Sequence, residues 1–140
     1  MMKRYVVLDT NCVVQSISHR SRYRAVWDNY MRGSYLLCVS NEILNEYQEI
    51  LERVANANVA RNIVEAIVNS PFARFYSPHF KFNLIENDYD DNKFVDCKII
   101  ANADYIVSED VHFEILKTMP FIGVKVVGLD EFLAEMLRVL

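Results

Sequence analysis

The stretch YVVLDTN, residues 5–11, joins a predicted strand directly to the start of a helix. Residues 5–8 form a short run of apolar, β-forming side chains, which is typical of a strand covered on both faces. Asp9, Thr10 and Asn11 follow at once, and all three residue types are good helix caps. A strand that turns straight into a helix is the usual first unit of a parallel α/β sheet.

The rest of the chain repeats this alternation. Apolar runs predict further strands at 35–39, 72–76, 105–107 and 124–127. Helical patterns predict helices at 12–18, 23–32, 41–54, 57–69, 92–103, 111–118 and 130–139, whereas 77–91 is typical of a loop, with weak extended character at 80–85. The predicted fold class is therefore α/β, a three-layer α/β/α, Rossmann-like domain around a central parallel sheet.

Length and composition narrow the class of protein. The chain has 140 residues, 52% hydrophobic and 24% charged, which predicts a single domain over 1–140 and excludes a disordered tail, a fibre or a coiled-coil rod. No run approaches the ~18–20 apolar residues that cross a bilayer, so no membrane partner is expected. Three cysteines without a C-x-x-C spacing favour free thiols and a cytoplasmic location.

Charge is unevenly distributed along the chain. The formal net charge of −4 argues against a protein that coats nucleic acid by bulk charge. Residues 1–33, however, hold six bases and two acids, whereas residues 86–110 hold eight acids and two lysines. A basic N-terminal part and an acidic centre both need an explanation.

Two acids follow predicted strands. Ligands of open α/β sheets bind outside the carboxyl ends of the strands. Asp9 comes directly after the first strand, and Asp110 lies just after the strand at 105–107. If these strands are parallel neighbours, both carboxylates lie at one edge of the sheet. Each could instead be a helix cap or a loop acid.

Two further acids lie on predicted helices. At ~100° per residue, Glu46 falls at the boundary of the apolar arc of its helix, where it could point into a cleft or belong to the solvated face. Asp96 lies on a helix that is apolar nearly all round, where an acid is costly unless it is paired or binds a metal. Lys93 is the alternative partner for Asp96, and Asp91 could simply cap this helix.

Carboxylates that converge in one crevice favour a divalent cation. They repel one another, and a bound cation removes that conflict. All-oxygen sites suit Mg²⁺ or Mn²⁺, and such cations hydrolyse phosphodiesters by activating water and stabilising the leaving oxygen. A phosphatase of the haloacid-dehalogenase type also has an acid after its first strand, but it needs a second acid at position 11, which is Asn11.

Taken in order, these motifs resemble the PIN domain family. The matching residues are Asp9-Thr10-Asn11 after the first strand, Glu46 on a helix after the second, Asp-Asp-Asn-Lys-Phe at 90–94, Ala-Asp-Tyr-Ile-Val-Ser at 103–108, and Asp110. The subgroup that the sequence resembles is the bacterial one of toxins from toxin–antitoxin systems, relatives of the VapC-type toxins. The resemblance covers nearly the whole chain.

The resemblance implies a ribonuclease that depends on Mg²⁺ or Mn²⁺ and has RNA and a small antitoxin protein as partners. It places the catalytic, metal-binding acids of the family on Asp9, Glu46, Asp96 and Asp110. For the third of these acids the wider family matches Asp96, whereas the Asp-Asn-Lys-Phe signature of the subgroup matches Asp91. We expect Asp96 to be the third acid, with Asp91 as an additional metal ligand.

Three polar neighbours are expected to support these acids. Thr10 and Asn11 would orient Asp9 or its metal-bound water, and Ser108 would do the same near Asp110.

The basic residues then have a candidate role. We expect four of them to contact RNA phosphates: Arg20, Arg22, Arg24 and Lys93. Tyr23 and Trp27 could stack on bases, although Trp27 could equally lie in the core. The helix at 57–69 could pack against a partner or a second copy, since two-fold dimers are the commonest oligomers.

Two features depart from the family pattern. Glu109 stands where a small residue, often Gly, commonly precedes the last acid, and residues 111–113 lack a further acid. Both features leave open whether one or two cations bind. They also support an alternative hypothesis, a PIN-like module that binds RNA or a protein with weak or no cleavage.

Overall fold

A parallel β-sheet covered by helices is the frame of the protein, as a computed structural model shows. The structure describes residues 3–77, 85, 91–111, 113 and 124–139, and the side chains of these residues as far as 136. The strands are β1 Arg4–Leu8, β2 Tyr35–Val39, β3 Ala73–Phe75, β4 Tyr105–Val107 and β5 Val126–Val127. The helices are α1 Thr10–Ser16, α2 Arg24–Met31, α3 Asn41–Val54, α4 Ala57–Val68, α5 Asn92–Ala101 and α6 Leu129–Val139.

The strand order is β3-β2-β1-β4-β5, and every neighbouring pair is parallel. β1 lies in the centre between β2 and β4, and Leu8 of β1 is in register with Val107 of β4. The chain therefore leaves β1 at Asp9 and β4 at Ser108 side by side, at the same edge of the sheet. The prediction of a central parallel sheet is confirmed.

Helices cover both faces of the sheet. On one face, the ring of Tyr35 lies 5.8 Å from that of Tyr30 in α2 and 5.0 Å from that of Phe132 in α6. Side chains alternate along a strand, so Cys38 points to the other face. There α5 packs on β1, β2 and β4, with Cys97 near Cys38. This arrangement confirms the predicted α/β/α layering.

Most predicted elements are confirmed, with shifts at their ends. Gly33 ends α2 with φ +82°, and a Cβ at this position would lie 2.5 Å from the ring of Phe72. The helix predicted at 92–103 ends at Ala101 because Asn102 adopts the left-handed conformation, with φ 50°. The strand predicted at 124–127 is limited to Val126–Val127.

Some sequence predictions concern segments that are only partly described. The helix at 111–118 and the loop at 77–91 lie almost entirely outside the described residues. The three cysteines are buried and free, as predicted. Within the described part of the chain, no helix has the length and apolar character needed to cross a membrane.

Candidate active site

Ser108 joins the ends of the two central strands. Its hydroxyl donates a hydrogen bond to Oδ2 of Asp9 at 2.8 Å and accepts one from the backbone N–H of Asp110 at 2.9 Å. The backbone N–H of Asp9 donates to the carbonyl of Val107 at 3.0 Å, which continues the pairing of β1 with β4 past the last residues of the strands. One serine thus contacts the two acids that follow the strands.

Asp9 is a buried carboxyl group with other carboxylates nearby. It is only 4% exposed, and this burial raises its pKa from 3.8 to about 6. Hydrogen bonds from Ser108 and the backbone of Thr10 lower the pKa, whereas the charges of Asp110 and Glu46 raise it. Although Asp9 stands at the N-cap of α1, its side chain makes no capping hydrogen bond, so the simple cap alternative does not describe it.

Glu46 is brought to this edge by the anchoring of α3. The hydroxyl of Tyr47, which is fully buried, donates to the carbonyl of Leu8 at 2.5 Å and thereby ties α3 to the end of β1. The Glu46 carboxylate is engaged at both oxygens: the Thr10 hydroxyl donates to Oε2, and the Lys93 ammonium lies 2.8 Å from Oε1. Because α3 begins at Asn41, directly behind β2, the topology itself places Glu46 beside the ends of the strands.

Asp91 and Asp96 are both buried, at 8% and 5% exposure. Asp91 stands at the N-cap of α5 but makes no side-chain capping hydrogen bond, so the cap alternative does not describe it either. Lys93 forms an ion pair with Glu46, which links α5 to α3. Asn11 is exposed at the start of α1.

Asp110 and Glu46 lie near Asp9, but the described acids do not form a ready-made metal cage. Over residues 3–77, 85, 91–111, 113 and 124–136, no three Asp, Glu, His or Cys side chains are grouped closely enough to hold a metal ion. The donor set is nevertheless all-oxygen, which suits Mg²⁺ or Mn²⁺ in kind. Charge repulsion between Asp9 and its acidic neighbours is the condition that a bound cation relieves.

Glu109 has a structural role that sequence reasoning missed. Its Oε1 accepts a hydrogen bond from the backbone N–H of Leu129 at 2.7 Å and so caps the first turn of α6. Gly128 leaves the space for it, since a Cβ there would lie 3.3 Å from the same oxygen. The partners are 20 residues apart, so no local capping pattern in the sequence could reveal the contact.

Replacing Glu109 by Ala is expected to lower the free energy of unfolding by about 1 kcal/mol and the melting temperature by about 3–5 °C. The reason is the loss of the cap on α6. Glu109→Gln keeps an oxygen acceptor and should lose less. Glu131→Ala, which removes the same charge from the exposed first turn of α6, is the control. Thermal denaturation followed by circular dichroism measures the effect, and equal losses in Glu109→Ala and Glu131→Ala would contradict it.

Of the four basic residues predicted to contact RNA, Arg20 and Arg22 are exposed, Arg24 is half-buried and the Lys93 side chain is only 12% exposed. Arg22 pairs with Asp130 at 2.8 Å, and Arg24 with Asp28 at 3.0 Å. An exposed pair such as that of Arg22 is weak and can exchange for a phosphate.

Trp27 is only 6% exposed, and its ring lies 5.6 Å from that of Tyr30, so it belongs to the core. Of the two alternatives for Trp27, the structure supports the core position and excludes stacking of this ring on bases.

An open cleft of about 450 Å³ lies on the outer side of α3. Glu46, Glu49, Arg53 and Lys93 are among the residues that line it. The Glu46–Lys93 pair therefore stands between this cleft and Thr10, the residue next to Asp9.

Sheet order, crossovers and acids at the carboxyl edge together define a Rossmann-like α/β domain with an acidic site. The family model described as PIN domain matches residues 5–112, and the chain belongs to the PIN domain family. No curated protein is significantly similar to the sequence.

Two solved structures share the fold. One is VapC20 of Mycobacterium tuberculosis, a toxin that cleaves the sarcin–ricin loop, with 14% identity and a TM-score of 0.58 over 79% of this chain and 94% of that chain. The other is VapBC2 from Rickettsia felis, bound to a DNA fragment from its promoter, with 13% identity and a TM-score of 0.61 over 89% of this chain and 98% of that chain. At these identities the likeness concerns the fold, which is that of VapC toxins.

Proposed function

We propose that this PIN domain is an endoribonuclease that depends on Mg²⁺ or Mn²⁺ and hydrolyses RNA phosphodiester bonds as the toxin of a toxin–antitoxin pair. The observation that carries the proposal is the buried Asp9 carboxyl group at the end of β1, with Asp110 and Glu46 near enough to raise its pKa. Membership of the PIN family and a fold shared with VapC20, which cleaves an RNA loop, support the same activity. A small antitoxin protein is the proposed partner.

The site residues supply the ligands and their orientation. Asp9 and Asp110 are the proposed ligands at the strand ends, and Glu46 and Asp96 from α3 and α5 complete the set, with Asp91 as an additional ligand. A bound cation would activate water and stabilise charge on the leaving oxygen.

Supporting side chains hold these acids in place. Ser108 orients the Asp9 carboxylate and fixes the backbone of Asp110. The Thr10 hydroxyl donates to Glu46 and its backbone N–H donates to the Asp9 carboxyl group, so Thr10 contacts both acids and links α1 to α3. Loss of partners of this kind commonly lowers metal affinity by about 10–100-fold.

RNA would approach along the basic N-terminal part of the chain. Arg20, Arg22 and Arg24 are the proposed phosphate contacts there, together with Lys93 at the cleft. The exposed ion pair of Arg22 costs little to open, so it does not prevent this role. Arg24 is half-buried and its guanidinium also donates to the carbonyl of Ile17, so it would have to exchange both contacts for a phosphate.

Purified protein, freed of any partner by unfolding and refolding, is expected to cut RNA in the presence of Mn²⁺ or Mg²⁺ and to stop when EDTA is added. The measurement is gel analysis of a labelled RNA with internal cleavage sites. Cleavage that continues in EDTA would argue against the cation, and absence of cleavage with either cation would argue against the ribonuclease.

One observation favours a second candidate, a PIN domain that binds RNA with weak or no cleavage. Lys93 already supplies a positive charge to Glu46, and this contact could replace a cation. Calorimetry separates the two candidates: RNA binding without any Mn²⁺ binding would favour the binding module.

A further inference from the structure

We infer that Lys93 is an internal counterion that closes the cation-free site and must leave Glu46 before a divalent cation can bind there. The inference rests on the proposed function, because it concerns the same acids. It assigns Lys93 a positioning role that acts through Glu46.

The ammonium group of Lys93 is held in an unusually enclosed place. The Lys93 side chain is 12% exposed and that of Glu46 24%, and their charged atoms are 2.8 Å apart. Lysine is rarely so enclosed without a partner, because removing its charge from water is costly. The ion pair is therefore a largely enclosed contact between α3 and α5, unlike a solvent-exposed surface pair.

The backbone around Lys93 is fixed by its neighbour. Asn92 is buried, and its side-chain amide makes two hydrogen bonds to the backbone of Ile85, at 2.8 and 2.9 Å. Because α5 also packs on β1, β2 and β4, a shift of the whole helix would disrupt the core. The lysine side chain itself has to rotate into the cleft.

Glu46 has no oxygen without a contact to offer a cation. Its Oε2 accepts from Thr10, and its Oε1 faces Lys93. A divalent ion bound to Oε1 would lie close to the ammonium, and two cations at such a distance repel each other.

A second ion pair in the same cleft provides a matched comparison. Arg53 lies 3.2 Å from Glu49 on α3, but both side chains are about two-thirds exposed, at 67% and 69%. Both pairs line the cleft and carry the same charges. Replacing Lys93 or Arg53 by a neutral residue changes the net charge by the same amount, whereas of the two only Lys93 contacts a proposed metal ligand.

The test is calorimetric titration of Mn²⁺ into four full-length proteins: wild type, Lys93→Met, Lys93→Gln and Arg53→Met. Losing the competing ammonium is expected to tighten Mn²⁺ binding about tenfold in both Lys93 variants, against about twofold or less for Arg53→Met, whose charge is screened by water. Circular dichroism checks folding, and the Gln variant keeps the test valid if the Met variant does not fold. Without Mn²⁺, both Lys93 variants should melt at a lower temperature than wild type.

The outcomes separate this inference from the proposed function. Mn²⁺ affinity in both Lys93 variants that equals that of Arg53→Met, or is weaker than wild type, would overturn the inference while leaving a wild-type ribonuclease intact. Binding by the Lys93 variants but not by wild type would support it. Absence of Mn²⁺ binding in all four proteins would overturn both.

Discussion

Asp9→Asn is expected to lower the rate of RNA cleavage by on the order of 10³-fold, a loss typical of removing a charge that stabilises the transition state. The side chain keeps its size and can still accept the hydrogen bond from Ser108, so the fold should survive. What it loses is the negative charge at the end of β1, which is the proposed anchor of the cation. Both kcat and the affinity for Mn²⁺ should decrease.

Single-turnover cleavage at saturating Mn²⁺ measures this effect. Asp104→Asn is the matched control, since Asp104 precedes β4 at the opposite edge of the sheet and accepts a hydrogen bond from the backbone of Tyr5 at 2.7 Å. The control should cleave RNA at the wild-type rate. An Asp9→Asn protein that cuts as fast as wild type would remove Asp9 from the active site.

The same substitution is expected to stabilise the cation-free protein at neutral pH by about 2–3 kcal/mol. The folded-state pKa of Asp9 is raised to about 6 by burial, above its value in the unfolded chain. As the pH rises from about 4 to 6, the unfolded chain therefore loses its proton first, and the free energy of unfolding falls. Asn carries no charge at any of these pH values and avoids the cost.

Urea denaturation in EDTA at pH 4 and pH 7 measures this second effect. The difference between Asp9→Asn and wild type should be present at pH 7 and absent at pH 4. Added Mn²⁺ should reverse the order by stabilising only the wild type, because a ligand stabilises the state that binds it. If Asp9→Asn is less stable than wild type at pH 7 in EDTA, the burial of the charged Asp9 carboxylate does not destabilise the protein as inferred from its raised pKa.

The sequence allowed the strand ends to be predicted well. Short runs marked the five strands, and helices between them predicted a parallel sheet, whereas the sequence leaves the pairing of β1 with β4 as a condition, which the structure meets. The meeting of Asp9, Ser108 and Asp110 is a direct consequence, since residues that follow neighbouring parallel strands share an edge. The choice between Asp91 and Asp96 stays a prediction, since both are buried.

Contacts between distant segments could not be predicted. Helical spacing offered Lys93 only local partners such as Asp96, whereas its observed partner Glu46 is 47 positions away on another helix. Glu109 likewise has its partner 20 positions away, at the start of α6 beside the neighbouring strand end. Such pairs depend on how helices cross, which residue periodicity does not encode.

The carboxylates at the ends of β1 and β4 are proposed to hold a divalent cation for RNA hydrolysis. The most direct test is a crystal of the full chain soaked in Mn²⁺, with the ion located by its anomalous scattering. We expect a Mn²⁺ ion about 2.1–2.2 Å from carboxylate oxygens of both Asp9 and Asp110, a distance typical of small divalent ions. An ion bound elsewhere, or none at Asp9 at millimolar Mn²⁺, would contradict it.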